Sequence, residues 1–489
     1  MEGKKNRICG SYSKGRREDG SVGAVTFVET QAILKLAHSE GLHSRTCLQN
    51  EGSDKINVFD GKTLTAVIIR IAKILGFRSE REERRRKVEY IPQLGLEFKG
   101  NLGFSYGLNW ALAGKGVIVK DKAFQNLTSS ELQQKGATIV ASLSGLPLLV
   151  RGSVRGGILD ISKGHYTKLL KQVTTHLSSI SNVFVQDGAI GSSSECDAKV
   201  RVISDNPSAM LKFSSILLKT PTRAVSHDSC PLTVYVATSI SVGVMDAVAF
   251  GAQGSNGFIT ADIERSSLIL CGQAFADTNG IKEALTALSG PIICARGGLL
   301  LSGRLLVLAD SVILLFAPED TIQSCANVLV SADAGVILSS QGIAPLFQTG
   351  NSGGPDTFKL PAAVVFASSD CSGIIPSVAK LSPGQAAYHF LAGYQNGKFV
   401  PAYCKFPFID LLDLAKAFLS KLKDHRIPSF LVNVKKRETS VTGKDLQALA
   451  QSTLSENIPP FEPEGGNLQE KYKTFLDSKF QEIPQEFSF

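Results

Sequence analysis

The chain has 489 residues, 43% of them hydrophobic, and a formal net charge of +8; that length suits two or three domains or one large enzyme fold, and that apolar fraction an ordinary globular core. Residues 1–100 hold nineteen basic and thirteen acidic side chains, so +6 of the +8 lies there, which argues against a basic nucleic-acid groove in the body of the protein. Seven His and nine Cys are scattered without CxxC, HxxxH or HExxH spacing, so zinc is not supported, and the odd, dispersed Cys suit a reducing compartment.

Residues 1–23 are polar and rich in Gly and charge, a composition expected to be disordered. Met1-Glu2-Gly3-Lys4-Lys5-Asn6-Arg7 lacks the apolar core of a secretory signal, so the expected location is the cytoplasm. An organellar transit peptide stays open, although Glu18 and Asp19 argue against it. A short helix is expected at Thr30–His38 and another at Leu64–Leu75, where Val67, Ile68, Ile71 and Ile74 fall near helical spacing. The run Arg78-Ser79-Glu80-Arg81-Glu82-Glu83-Arg84-Arg85-Arg86-Lys87 reads as a solvated helix end or linker, because its acids offset the field a nucleic-acid patch would need.

Further along, Lys168–Leu177 reads as a helix and Asn182–Gln186 as the strand after it. Strands are expected at Thr233–Ala237, Ser266–Cys271, Ala362–Phe366 and Phe430–Val434, with Arg304–Leu308 and Val312–Phe316 paired through Ala309-Asp310. Helices are expected at Ile281–Leu288, Pro383–Tyr394, Leu411–Lys423 and Lys444–Leu454, and the segment from Asn457 reads as mostly irregular. This order predicts an α/β or mixed α+β protein. No charge-free apolar run reaches the ~18 residues of a membrane span; residues 136–150 come nearest, broken by Gly145 and Pro147. Cys271, Cys294 and Cys325 read as buried, inert thiols, and His389 as a packed, hydrogen-bonded core residue beside Phe390 and Leu391. His227-Asp228-Ser229-Cys230 is no triad, because triad partners must converge from separate places in the chain.

The most telling stretch is Ser311–Ser324, an apolar strand running into a helix. An α/β enzyme places its phosphate loop at such a junction, and that loop needs glycines and a Lys. Here the junction is Ala317-Pro318-Glu319-Asp320-Thr321-Ile322-Gln323-Ser324, with neither Gly nor Lys. Taken alone, Pro318, Glu319 and Asp320 make a good first helical turn, Pro at the first position and the acids at the positive end of the dipole.

The surroundings give the junction another meaning. Val364-Val365-Phe366-Ala367-Ser368-Ser369-Asp370-Cys371-Ser372-Gly373-Ile374-Ile375-Pro376-Ser377-Val378-Ala379-Lys380-Leu381 is similar, without a gap, to "vifLtaDAfGvlPpVskL" of the ATP-dependent phosphoenolpyruvate carboxykinase family. Gln385-Ala386-Ala387-Tyr388-His389-Phe390-Leu391-Ala392-Gly393-Tyr394 resembles its "qamYhFisGyta". Asn126–Leu132, Leu143-Ser144-Gly145, Val183–Ala189 with Lys199–Ser204, Phe258–Arg265, Phe430–Val434 and, more weakly, Val441–Asp445 resemble further family segments in the same order. Taken together, the chain resembles that family from about Asn126 to Leu454.

The resemblance implies a two-lobed fold with a central cleft, and a family reaction that converts oxaloacetate and ATP to phosphoenolpyruvate, CO2 and ADP with Mg2+ and Mn2+. It also implies that this chain lacks much of the machinery. Against the family's "GLSGTGKTT", Gln323 stands where the phosphate Lys belongs; Ser324 keeps a hydroxyl that could hold Mg2+. The acidic "GDDE" falls near Leu338-Ser339-Ser340-Gln341, and the phosphate Arg of "NTR" falls in an Arg-free interval between Gln341 and Lys359, nearest Gln348-Thr349-Gly350-Asn351. Phe275 replaces the substrate Tyr, Lys282 stands for one of two Lys near the metal, and the metal His falls near Arg296. Val150-Arg151-Gly152-Ser153-Val154-Arg155-Gly156-Gly157 is the candidate for the Arg/Gly-rich substrate loop. Asp370 follows a strand and matches a family Asp, but its favoured reading is a loop or cap carboxylate.

The expected division is an N-terminal extension (1–90, largely disordered), an N-terminal lobe (91–290), a C-terminal lobe carrying the altered phosphate loop (291–456) and a tail (457–489). The expected function is that of a non-catalytic or severely impaired relative, without bound cofactor. It would act by binding a protein partner or an active homologue, with no role for nucleic acid or membrane. The alternatives are an active carboxykinase with ligands supplied from elsewhere in the chain, and another, ATP-independent chemistry in the same cleft.

Overall fold

The computed structural model describes Cys47–Leu48, Ile56–Asn57 and residues 106–488, except 153–160, 194, 220–224, 226–227, 229, 241–255, 331–333, 350–356, 371–374, 396–397, 402–409, 435–441, 455–456 and 463–467. The chain divides into two compact units, Met1–Asn101 and Leu102–Phe489. In the first, β1 (Cys47–Leu48) pairs antiparallel with β2 (Ile56–Asn57). The expected helices Thr30–His38 and Leu64–Leu75 and the charged run Arg78–Lys87 lie outside the described residues.

The second unit is mixed α/β, built on two large sheets. Its N-terminal half carries β3 (Lys122–Gln125), β4 (Leu148–Arg151), β5 (Asn182–Ile190), β6 (Ala198–Ser204), β7 (Leu232–Ala237), β8 (Gly257–Asp262) and β9 (Ser267–Gly272). They lie in the order β3-β5-β6-β7-β9-β8-β4. Neighbours β6, β7 and β9 run parallel, and all six residues of β7 are buried, as expected of a strand covered on both faces. Helices α1 (Tyr106–Ala113) and α3 (Lys163–Ser179) cover one face through Leu108, Leu112, Tyr166, Val173 and Leu177. The other face is covered by α2 (Ser129–Gln134), α4 (Pro207–Ser214) and α5 (Thr278–Ala295) through Leu132, Phe213, Ile281, Leu285 and Ile293.

Helix starts follow side-chain caps. Helix α3 begins five residues before its predicted start because Ser162 Oγ accepts from the His165 N–H. Helix α5 begins where Asp277 Oδ1 accepts from the Gly280 N–H, and it runs past its predicted end and through Pro291. Ten buried residues hold it to the sheet, which offsets the backbone bond that a Pro removes.

The C-terminal half holds β10 (Leu299–Leu301), β14 (Val336–Leu338) and β15 (Ile343–Pro345) as a small antiparallel sheet. Its main sheet comprises β11 (Arg304–Leu308), β12 (Ser311–Phe316), β13 (Leu329–Val330), β16 (Ala363–Ser368), β17 (Val378–Leu381) and β20 (Ser429–Asn433), in the order β13-β11-β12-β16-β20-β17. The hairpin β11–β12 turns at Ala309, whose φ of 49° is left-handed, and Asp310, as read from the sequence. Strands β12, β16 and β20 are parallel, with Phe316 opposite Phe366 and Ser368 opposite Asn433.

Helices α7 (Pro383–Leu391) and α8 (Leu411–His425) cover one face of this sheet. Phe316, Phe366, Phe390 and Phe418 pack there with ring centroids 5.0 to 6.3 Å apart. On the other face, Leu446 and Ala450 of α9 (Gly443–Ser452) join Ile313, Leu315, Val365 and Val432.

Two expectations are corrected here. Pro383–Tyr394 is not one helix: α7 stops at Leu391, and β18 (Ala392–Gln395) pairs with β19 (Lys398–Pro401). Nor is the segment from Asn457 mostly irregular, since α10 (Leu468–Asp477) buries Tyr472 and Leu476 completely.

Tyr472 packs on His389, with its hydroxyl 3.3 Å from Nδ1. Burial pushes the His389 imidazole down to about 3. The unfolded chain takes up a proton near the ordinary value of 6.5 while the folded chain does not, so this residue's contribution to stability is lost as pH falls from about 6.5 towards 3. The slope reaches about 1.4 kcal/mol per pH unit. His389→Phe should flatten the stability profile by that slope over the same window, measured by urea unfolding. An unchanged profile would place the acid sensitivity elsewhere. Among the described residues, no helix is long and apolar enough to cross a membrane.

Candidate functional site

Parallel strands present their carboxyl ends on one edge of a sheet, where α/β folds place ligands. In the C-terminal half that edge is formed by the ends of β12, β16 and β20. Beyond β12, Ala317 and Pro318 are buried, and α6 runs from Glu319 to Ser324. Pro318 is the cap residue and not the first helical residue expected from the sequence; at φ −57° and ψ 151° it supplies no side-chain cap. Glu319 and Asp320 are exposed in the first turn, and Asp320 Oδ1 accepts from the Thr321 N–H at 2.9 Å. Thr321 is buried and Gln323 is exposed. The Ser324 hydroxyl donates to the Thr321 carbonyl at 3.0 Å.

At the end of β16, Asp370 is 2% exposed and its Oδ2 accepts from the Ile375 N–H at 3.0 Å. Asn433, at the end of β20, accepts from the Asp370 N–H through Oδ1 and donates through Nδ2 to the carbonyls of Asp370 and Ile375. Asp370 is thus bonded through its side chain to the Ile375 N–H and through its backbone to Asn433. Asn433 is the residue that sequence reasoning missed. It stood inside a quoted segment, but nothing local to it pointed to a partner 63 positions away.

The residues assigned to the substrate side do not converge. Phe275 is buried in the core of the N-terminal half, just before α5. Lys282 lies in the second turn of α5 with Nζ 6.0 Å from the Phe347 ring, beside the stretch matched to "NTR". Arg296 caps the far end of α5, whose 18 residues span about 27 Å. Its guanidinium donates to the Asp197 carbonyl and, at 2.7 Å, to Asp228 Oδ1. Nearby, Lys199 Nζ meets Asp197 Oδ2 at 2.5 Å, both side chains fully buried.

The segment matched to "GDDE" lies close to Arg296, because Leu338 pairs with Leu299; there Gln341 Nε2 donates to Glu195 Oε1 at 2.6 Å. Arg151, the described part of the loop candidate with Val150 and Gly152, forks onto the buried Asp262 with two bonds of 2.9 Å and reaches Glu264 at 2.7 Å. Ser153–Gly157 lie outside the described residues, as do His227 and Ser229. Cys271 and Cys325 are buried as expected, whereas Cys294 is exposed. Helix α5 turns Ile292 and Ile293 inward at its last turn, and Cys294 follows on the solvent side.

Comparison with known proteins finds a likeness over a short part of the chain. The family model described as phosphoenolpyruvate carboxykinase matches residues 340–398. Within that stretch the chain is similar to ATP-dependent phosphoenolpyruvate carboxykinases. Curated phosphoenolpyruvate carboxykinases (ATP) match over short stretches. The protein of Christiangramia forsetii is 42% identical over 50 residues, that of Novosphingobium aromaticivorans 36% over 62, and that of Flavobacterium johnsoniae 53% over 34. Those stretches are 10%, 13% and 7% of this chain and 9%, 12% and 6% of the relatives.

The carboxykinase family match carries β15, β16, β17, α7 and β18, and does not reach α6, Phe275, Lys282 or Arg296. The β12–α6 junction has no Gly to open a nest of N–H groups, and its exposed first-turn side chains are carboxylates. Among the described residues, no group of three or more His, Cys, Asp or Glu could hold a metal ion.

Proposed function

We propose that the protein is a non-catalytic or severely impaired relative of the ATP-dependent carboxykinases, which keeps their fold and acts through binding a protein partner or an active homologue. The β12–α6 junction carries this reading. Phosphoryl transfer is catalysed almost wholly by positioning and by cations facing the transferred phosphate. At this junction the exposed first-turn side chains are Glu319 and Asp320, the phosphate Lys is replaced by Gln323, and the Ser324 hydroxyl is directed to its own helix. The arrangement on the substrate side supports it too: Phe275 is in the core, and Arg296 is engaged by two aspartates.

Mg-ATP should bind with a dissociation constant of ~1 mM or weaker, about −4 kcal/mol or less. Calorimetric titration of the full chain with Mg-ATP checks this. A coupled assay of phosphoenolpyruvate formation from oxaloacetate with Mg2+ and Mn2+ should show no turnover. Micromolar binding at this junction, or clear turnover, would overturn the proposal and favour an active carboxykinase with ligands supplied from elsewhere.

A further inference from the structure

The described parts of the C-terminal segment, residues 457–462 and 468–488, return to the C-terminal half, where Phe461, Tyr472, Leu476 and Phe487 join its core. The segment begins at the free edge of β17, where Lys380 N–H donates to the Pro459 carbonyl and the Phe461 N–H donates to the Lys380 carbonyl, both at 2.8 Å. It continues through α10 and ends with the buried ring of Phe487. Tyr472 of α10 packs edge-on against Phe399 of the β18–β19 hairpin, centroids 4.4 Å apart, and 6.2 Å from Tyr394 on the facing strand. Phe475 stacks on the same Phe399 at 5.3 Å. Tyr394 and Phe399, register partners across this hairpin, both pack on the C-terminal helix.

The hairpin in turn holds the candidate site. The Tyr394 carbonyl accepts from the Ser368 hydroxyl and from the Ser369 N–H. Ser368 is the last residue of β16, and its own carbonyl takes the Val434 N–H at 2.7 Å, next to the Asn433–Asp370 bonds. A continuous path of ring contacts and hydrogen bonds thus runs from Tyr472 through Tyr394 to the residues that close the carboxyl edge of the sheet.

We propose that the C-terminal segment is a strap whose docking on the β18–β19 hairpin sets the arrangement of Ser368, Ser369, Asp370 and Asn433. Docking of the strap and binding at that edge are then coupled. Coupling of this kind is reciprocal: a ligand that favours the closed edge tightens the strap, and a partner that lifts α10 loosens the edge. The inference needs only the geometry of the C-terminal half, so it stands whether or not the protein turns over substrate.

Amide hydrogen exchange on the full chain tests it. Tyr472→Ala should speed exchange of the Ser369 and Asp370 amides by about tenfold or more, together with those of α10, and leave β6, β7 and β9 unchanged. Tyr472→Phe, which keeps the ring, should change the edge amides by less than about twofold. Where Tyr472→Ala fails to fold, the unmodified chain in low denaturant gives the answer: strap amides and edge amides should share one opening, with the same dependence on denaturant. Loss of protection in α10 alone, uniform loss across the C-terminal half, or separate openings in the unmodified chain would each overturn the strap.

Discussion

Lys199→Met should lower the stability of the chain by ~3–5 kcal/mol, the usual cost of removing one partner from a buried ion pair. Lys199 and Asp197 are both 0% exposed and meet at 2.5 Å, and Arg296 approaches the other oxygen of Asp197 at 3.9 Å. Taking away the ammonium leaves a carboxylate in a medium that solvates it poorly, while Arg296, already committed to Asp228 at 2.7 Å, compensates only in part. In urea unfolding the midpoint should fall with an unchanged m-value. Lys423→Met is the contrasting variant. Its pair with Glu486 is almost as short, 2.7 Å, but the two side chains are 50% and 65% exposed, so a change within ~1 kcal/mol is expected. Equal effects of the two substitutions would mean that burial does not set the worth of the Lys199 pair.

That pair also shows where sequence reading runs out. Strands covered on both faces leave continuous apolar runs, so Thr233–Ala237 and Val312–Phe316 were legible to within a residue. Helix extents were not, because periodicity says little about where a helix stops unless a breaker follows. What reads as one helix from Pro383 to Tyr394 is α7, ending at Leu391, followed by β18, which pairs with β19 from Ala392↔Pro401 to Gln395↔Lys398. The short strands β14 and β15 gave no signal, since three residues carry no period.

Long-range polar contacts were invisible for a different reason. Nothing local to Lys199 points to a buried partner, and only the fold brings Arg296 close to the Lys199–Asp197 pair. At the candidate site, the junction at Pro318 was legible because Pro and acids mark a helix start. The closure of the edge by Asn433 depends on the parallel register of β16 and β20, which local sequence does not encode. The strap was unreadable for the same reason, since its anchors Tyr394 and Phe399 lie 78 and 73 residues before Tyr472.

Replacing Ala317–Ser324 with a Gly-rich, Lys-containing loop should raise affinity for Mg-ATP well above that of the unmodified chain, without giving phosphoenolpyruvate formation. The gain follows from removing Glu319 and Asp320 from the first turn of α6 and supplying the N–H groups and the ammonium that a polyphosphate needs. Turnover requires more. Phe275, in the Tyr position, is held in the core, where even a restored hydroxyl would face apolar side chains. Arg296, with its two aspartates, lies near the position where the sequence resemblance would put the metal His. No Arg occurs between Gln341 and Lys359. Each gap concerns a different part of the reaction, so one loop completes no catalytic constellation. The graft also removes the buried residues Ala317, Pro318 and Thr321, so its melting should be measured beside the titration and the assay. Turnover by the graft alone would show that the other groups are supplied by residues not identified among these candidates. A folded graft with unchanged affinity would show that the flanks of the junction, and not its missing Gly and Lys, keep ATP out.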